Sequence, residues 1–400
     1  MTTTLLEQVL GRSKSLFKDD LESADLELID KITGSRILVV GAAGSIGSSF
    51  VKQLLAFTPK TLHLVDPAEN NLVELVRDLR SSTLHVPTDF MTLSIPMGSV
   101  MFDYFLESQQ SYDYVVNFSA LKHVRVERDP YSLMQMLETN IFSLQRLLAF
   151  LKISRQSRVF SVSSDKAVNP ANLMGASKAL MEQLLYAFSG DVPYSTARFA
   201  NVAFSDGSLL HGFIRRFEKG QPLSAPFDVR RYFISHEESG QLCLLACFLG
   251  ENREVFIPRL SPQSDLKTFS EIAELFLKER GYTPIKCASE IEAKEIAGKG
   301  DLAEKKEWPC YFSGSDTSGE KPVEEFVGRG ERADFSRFKA VGIIAGQPPM
   351  DEGSLSESLA ALKKIKEDKN WLVGEIAGAV KLTVPELDHQ ISSRNLDQKM

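Results

Sequence analysis

Ser163-Ser164-Asp165-Lys166 and, further on, Met174-Gly175-Ala176-Ser177-Lys178 hold the residue types that acid-base chemistry needs. A carboxyl and an amine in adjacent positions can serve as acid and base toward neighbouring atoms of one small molecule. Ser164 adds a hydroxyl able to relay a proton. Met174 and Lys178 stand four apart, so on a helix they share one face. A phenol at position 174 would have its pKa lowered by the ammonium and could take a proton; a thioether neither gives nor takes one. Either other groups remove the proton or the chain has lost this chemistry. The plainer account of Asp165-Lys166 is a surface ion pair in a turn. Against it, the pair directly follows the apolar run Arg158–Val162, where a buried strand meets the ligand side of a sheet.

The elements that must position these groups are readable around them. Ile37-Leu38-Val39-Val40 is a continuous apolar run, as in a strand buried on both faces, and it leads into Gly41-Ala42-Ala43-Gly44-Ser45-Ile46-Gly47. A helical pattern follows from Ser48 through Leu55. Strand, glycine turn and helix together set backbone N–H groups and a positive helix end against a pyrophosphate, which assigns Gly41, Gly44, Ser45, Ile46 and Gly47 to a dinucleotide. The next strand, Thr61 to Val65, ends in Asp66, about twenty residues beyond the glycines, where a carboxylate accepts from ribose hydroxyls. That favours NAD over NADP, because a 2′-phosphate would be repelled. The alternative is a turn residue before Pro67.

Strand-like runs at Thr61–Val65, Thr83–Val86, Tyr114–Phe118, Arg158–Val162 and Tyr194–Phe199 alternate with helical ones. The fold class is therefore α/β, a Rossmann-like doubly wound parallel sheet with a smaller α/β substrate lobe on the C-terminal side. Four parts are expected: a helical extension over 1–34, an NAD-binding domain over 35–205, a substrate lobe over 206–345 with some segments returning to the first domain, and a helical tail over 346–400. The extension reads as two short helices, the first opened by the capping-box spelling Thr4-Leu5-Leu6-Glu7. Its Leu5, Leu6, Val9, Leu10 and Phe17 need a surface to cover: the parent domain, a second subunit or a membrane surface. In the lobe, a strand at Glu254–Ile257 and a helix at Ser270–Arg280 stand out, and residues 286–306 read as a solvated helical face.

Composition narrows the class. The 400 residues are 43% apolar, enough for a full core. A net charge of −7 gives no reason to expect nucleic acid as a partner. Cys243, Cys247, Cys287 and Cys310 lack metal-ligand spacing and read as core residues of a protein from a reducing cytoplasm, with no metal. The run Leu242 to Leu249 is too short to span a bilayer, and Met1-Thr2-Thr3-Thr4 lacks the features of a secretion signal.

On these motifs the chain resembles the extended short-chain dehydrogenase/reductase family, in the bacterial polysaccharide-biosynthesis branch of UDP-N-acetylglucosamine 4,6-dehydratases. The matching stretches are the glycine turn, Ala120-Leu121-Lys122-His123-Val124, Ser163 to Lys178, Arg198-Phe199-Ala200-Asn201-Val202, Arg231-Tyr232-Phe233 and Gly319-Glu320-Lys321. Many members carry tyrosine four before the lysine, and a sub-branch carries methionine there with activity retained. The resemblance implies oxidation at C4 of a UDP-sugar, loss of water across C5 and C6, and hydride return to C6. It assigns Asp165 as acid at C6, Lys166 as base at C5, partly neutral through burial or crowding by Lys178, and Lys178 to the nicotinamide ribose. Asp89, Ala120, Lys122 and Asn140 join the cofactor contacts, and Lys122, Asn201 and Arg231 the substrate contacts, Arg231 toward phosphate. A homo-oligomer is also implied. The O4 proton stays open between Ser164 as relay and Asp165 in a double role. Three departures concern the substrate: Ala200 replaces a glycine, Asp206 an arginine, and Thr317-Ser318 an Arg-Pro pair.

Three readings follow. A 4,6-dehydratase needs Asp165 and Lys166. A nucleotide-sugar 4-epimerase needs neither and suffers more from Met174. A non-catalytic NAD or nucleotide-sugar binding protein would bind without turnover. The first accounts for most residues.

Overall fold

A computed structural model of the chain describes residues 3–123, 127, 129–154, 157–315, 320–346, 351–369 and 371–387. The strands, in chain order, begin with β1 (Arg36–Val40), β2 (Thr61–Val65), β3 (Asp89–Leu93), β4 (Tyr114–Asn117), β5 (Arg158–Val162) and β6 (Tyr194–Ala197). They continue with β7 (Asn201–Val202), β8 (Leu223–Pro226), β9 (Arg230–Ile234), β10 (Glu254–Pro258) and β11 (Leu266–Thr268). The last are β12 (Thr283–Lys286), β13 (Glu307–Ser313), β14 (Ala333–Asp334) and β15 (Val341–Ile344).

Nine strands form the main sheet in the order β14-β15-β10-β6-β5-β4-β1-β2-β3. From β3 to β10 all neighbours run parallel, and β15 and β14 return antiparallel at one edge. The apolar run of β1 explains the layering. Ile37 and Val39 enter the core on one face, with the helices Lys18–Ile32, Ser45–Leu54 and His236–Leu249. Leu38 and Val40 enter the core on the other, with the helices Ser143–Ser154 and Leu173–Phe188. Alternating side chains on a strand covered by helices on both sides are all apolar, which is why the sequence shows no polar alternation there.

Two three-stranded sheets, β11-β9-β7 and β12-β13-β8, build the smaller lobe around a third core. The first helix, Thr3–Leu10, buries Leu5, Val9 and Leu10 in that core beside Phe269–Glu279. Arg12 then pairs with Glu238 at 2.7 Å, and Phe17 enters the main core. The parent chain thus covers the extension's apolar face. The tail supplies Glu352–Asp368 and Val373–Lys381, both packed on the Leu173–Phe188 helix.

Several expectations need correction. Thr83–Val86 is not a strand; the edge strand is Asp89–Leu93, six residues later. Its side chains are half exposed, so it lacks the apolar signature of its neighbours. Helix Thr3–Leu10 already includes Thr4, which is therefore not its cap, and the second helix of the extension is fifteen residues long. Residues 283–286 pair as a strand before the charged helix Glu290–Gly298 begins. Val124, Thr317, Ser318, Gly319 and the segment Gln347-Pro348-Pro349 fall outside the described residues.

One buried ion triad ties these parts together. Arg198, just past β6 and 4% exposed, donates to Glu182 at 3.0 and 2.7 Å and to Glu331 at 2.5 and 2.8 Å, and to the Phe326 carbonyl at 3.0 Å. Removing the cation leaves two carboxylates buried without compensation. Arg198→Met is expected to lower unfolding free energy by about 3–5 kcal/mol, measured by urea denaturation.

Candidate active site

The glycine turn sits where β1 ends. Gly41 has φ 75°, and a Cβ on it would come within 2.6 Å of the Ser119 nitrogen. A Cβ on Gly47 would come within 2.2 Å of the Gly41 carbonyl oxygen. Only glycine lets the turn lie on the end of β4 and the helix close on the turn. Gly44 caps the Ser45–Leu54 helix without a side chain, so the first-turn N–H groups have no side-chain acceptor. Gly44, Ser45 and Ile46 line a cavity of about 620 Å³ at the C-terminal ends of the strands. A helix start without a cap, opening into a cavity, fits a pyrophosphate, and the residues present fit a dinucleotide.

Asp66 is buried and does not line that cavity; its oxygens accept from Ala43 N–H at 2.9 Å and Ala68 N–H at 2.8 Å. It braces the glycine turn, and each oxygen keeps a further lone pair.

The acid-base groups lie deeper along the same cavity, after β5. Ser164 opens the short helical turn Asp165–Ala167, its oxygen accepting from Lys166 N–H at 3.2 Å. The same hydroxyl donates to Asp165 Oδ1 at 2.8 Å. Lys166 Nζ lies 3.1 Å from that carboxylate oxygen, 3.3 Å from Asn201 Oδ1 and 3.8 Å from Glu324 Oε1. Acceptors therefore surround Lys166, and the expected crowding by Lys178 is not found. Lys178 instead donates to the Val162 carbonyl at 2.9 Å, and burial pulls its pKa down to about 8, with Glu182 opposing the shift. Met174 is 2% exposed; its side chain lines the cavity and its N–H donates to Glu127 at 3.0 Å.

Ala120 and Lys122 line the cavity as well. Burial lowers the pKa of Lys122, against the field of Asp206. Two expected contacts, Asp89 and Asn140, need correction. Asp89 begins β3 at the opposite end of the sheet, where it accepts from Thr61 and His63 at 2.6 and 3.1 Å and pairs with Arg36. It is no cofactor ligand. Asn140 does not reach the cavity; it exchanges hydrogen bonds with the Leu121 backbone at 2.9 and 3.1 Å and donates to Ser177 at 3.0 Å. It holds the loop bearing Ala120 and Lys122 against the helix bearing Lys178. Arg231 lines the cavity, with its Nη1 donating to backbone carbonyls and its Nη2 to Glu320.

Sequence reasoning missed Glu320, Glu324 and Arg216, all on the cavity wall. Glu320 lay inside a matching stretch without a role. Glu324 and Arg216 stand in charged surroundings that give no local signal.

The parallel sheet and its glycine turn form a Rossmann-like dinucleotide-binding fold, with Ser164, Asp165, Lys166 and Lys178 on its cavity. The chain belongs to the family described as polysaccharide biosynthesis protein, whose sequence model matches residues 37–344. A protein of Methanocaldococcus jannaschii described as an uncharacterized membrane protein is 34% identical over 66% of this chain and 76% of its own. The UDP-N-acetylglucosamine 4,6-dehydratase (inverting) of Campylobacter jejuni is 27% identical over 57% of this chain and 67% of its own. A double mutant of the dTDP-glucose 4,6-dehydratase of Streptomyces venezuelae, solved with NAD bound, superposes with a TM-score of 0.56 at 17% identity, over 85% of this chain and 99% of its own. The chain spans half the length of a polysaccharide biosynthesis relative from Bacillus subtilis. Among the described residues no helix is long and apolar enough to cross a membrane.

The Lys178 shift has a pH signature. With a folded pKa of about 8 and an unfolded one near 10.4, the unfolded chain holds the extra proton between those values, so stability contributed here rises with pH across that window. Cofactor-free protein is expected to show this rise in urea denaturation between pH 8 and 10, and Lys178→Met to lose it.

Proposed function

We propose that the chain is an NAD-dependent nucleotide-sugar 4,6-dehydratase, acting on UDP-N-acetylglucosamine or a related nucleoside diphosphate N-acetylhexosamine, with the 4-keto-6-deoxy product destined for bacterial surface glycans. The observation that carries it is the shared Asp165 Oδ1, which accepts from Ser164 at 2.8 Å and from Lys166 at 3.1 Å. An epimerase has no use for this pair; elimination across C5 and C6 needs both members.

NAD, when bound at the glycine turn, supplies the hydride acceptor for C4 and the donor for C6. The protein's own residues handle protons. Ser164 takes the proton from the O4 hydroxyl as it passes its own to Asp165, which Met174 cannot do. Asp165, now a carboxylic acid, gives that proton to the C6 oxygen, which leaves as water. Lys166 removes the C5 proton as an amine, exchanges with solvent as the ammonium, and gives a proton back to C5 when hydride arrives at C6. The proton from O4 thus departs in the water, and Asp165 and Lys166 end as they began. Asn140 and Asp66 position the walls of the cofactor site through the backbone. A cytoplasmic setting and a homo-oligomer accompany this reading by resemblance.

The test is proton NMR in deuterated water with NAD and UDP-N-acetylglucosamine, where a new C6 methyl and deuterium at C5 are expected. Inversion at C4 with an intact hydroxymethyl would instead mean an epimerase. Lys166→Ala is expected to keep NAD affinity and abolish C5 exchange. Ser164→Ala is expected to slow C4 oxidation, followed at 340 nm in a single turnover, by about 100-fold.

A further inference from the structure

A nucleoside diphosphate needs a cation at its phosphates, and the arginine expected to provide it is engaged. Arg231 is 3% exposed. Its Nη1 donates to the carbonyls of Arg230, Lys321 and Pro322 at 2.9, 2.8 and 3.3 Å. Its Nη2 lies 3.2 Å from Glu320 and 3.7 Å from Glu324. Two carboxylates neutralise the charge and the carbonyls take the Nη1 hydrogens, so a phosphate at the Nη1 edge would have to displace buried pairs. The positions where the resemblance has further arginines hold Asp206 and Thr317-Ser318.

Arg216 is in a different state. It projects from the helix Leu209–Glu218 and lines the same cavity as Arg231 and as Ser224 and Ala225 of β8. Its carbonyl accepts from Lys219 and Gln221, but among the described residues its guanidinium makes no hydrogen bond or ion pair, so that fork of donors is open. The guanidinium folds back over Gly212, one turn earlier: a Cβ there would come within 2.5 Å of Arg216 Nη1. Any side chain at position 212 would push the guanidinium out of this place.

The geometry points to Arg216 as the cation that receives the phosphates of a nucleoside diphosphate ligand, with Gly212 clearing the space that holds it there. The inference rests on the nucleotide-sugar reading and relocates its anion site from Arg231. A planar guanidinium takes two phosphate oxygens at once, which suits a diphosphate better than an ammonium.

Isothermal titration with UDP and with uridine, on the NAD-loaded protein at two salt concentrations, tests it. Arg216→Met is expected to weaken UDP binding about 10- to 100-fold, to leave uridine unchanged and to flatten the salt dependence. Gly212→Ala adds a better helix former and is expected to keep or raise the melting temperature, yet to weaken UDP at least about fivefold. UDP affinity unchanged in both variants would overturn the inference, as would equal losses for UDP and uridine. Binding is read without turnover, so failure of the dehydratase reaction leaves these outcomes decisive. A wild-type protein with no measurable UDP affinity overturns both the inference and the nucleotide-sugar reading beneath it.

Discussion

A guanidinium out of reach of water holds the working half of this molecule in register. Arg198 lies between Glu182, on the helix that bears Met174 and Lys178, and Glu331, on the segment after Glu320 and Glu324. Ser163, beside the acid-base residues, donates to the same Glu182 at 2.5 Å. The end of β6, the helix and the segment that closes over the cavity therefore share one charge. Desolvating three charged groups is unfavourable unless their geometry is nearly ideal, so the triad tolerates one arrangement of these elements and penalises neighbouring ones. The placement of Asp165 and Lys166 inherits that restriction.

Within this frame several cavity charges pair with one another: Asp165 and Glu324 with Lys166, and Glu320 and Glu324 with Arg231. Met174, one helical turn before Lys178, is buried in the core on one face of the sheet. In the proposed reaction the O4 proton therefore goes to Ser164. Burial around Lys178 weakens its hold on its proton.

Much of this was legible in the sequence, for physical reasons that differ by element. β1, β2 and β5 are buried on both faces and announce themselves as apolar runs. β3 is an edge strand whose Asp-Phe-Met-Thr-Leu is half exposed, and Thr83–Val86 resembled a strand more closely. The Ser163 to Lys178 cluster was readable because its members are close in the chain. Arg231 and Glu320 are 89 residues apart, and nothing local to either shows that they meet. Asp89 was misplaced because a carboxylate beside a strand carries no mark of which strand end it occupies. Asp66 was read as an acceptor for ribose hydroxyls, and its backbone donors Ala43 and Ala68 were not foreseen.

The tail bears on how the chain can be handled. Leu355, Leu362, Ile376 and Val380 share a core with Leu180, Leu184 and Leu185 of the Leu173–Phe188 helix, and Lys366 bonds to Glu138. That helix is thus clad on its outer side by residues that join the chain last. A polypeptide cut before residue 351 would retain every group that touches the cavity and still present a greasy stripe to solvent. Solubility and purification behaviour, rather than chemistry, would reveal the loss.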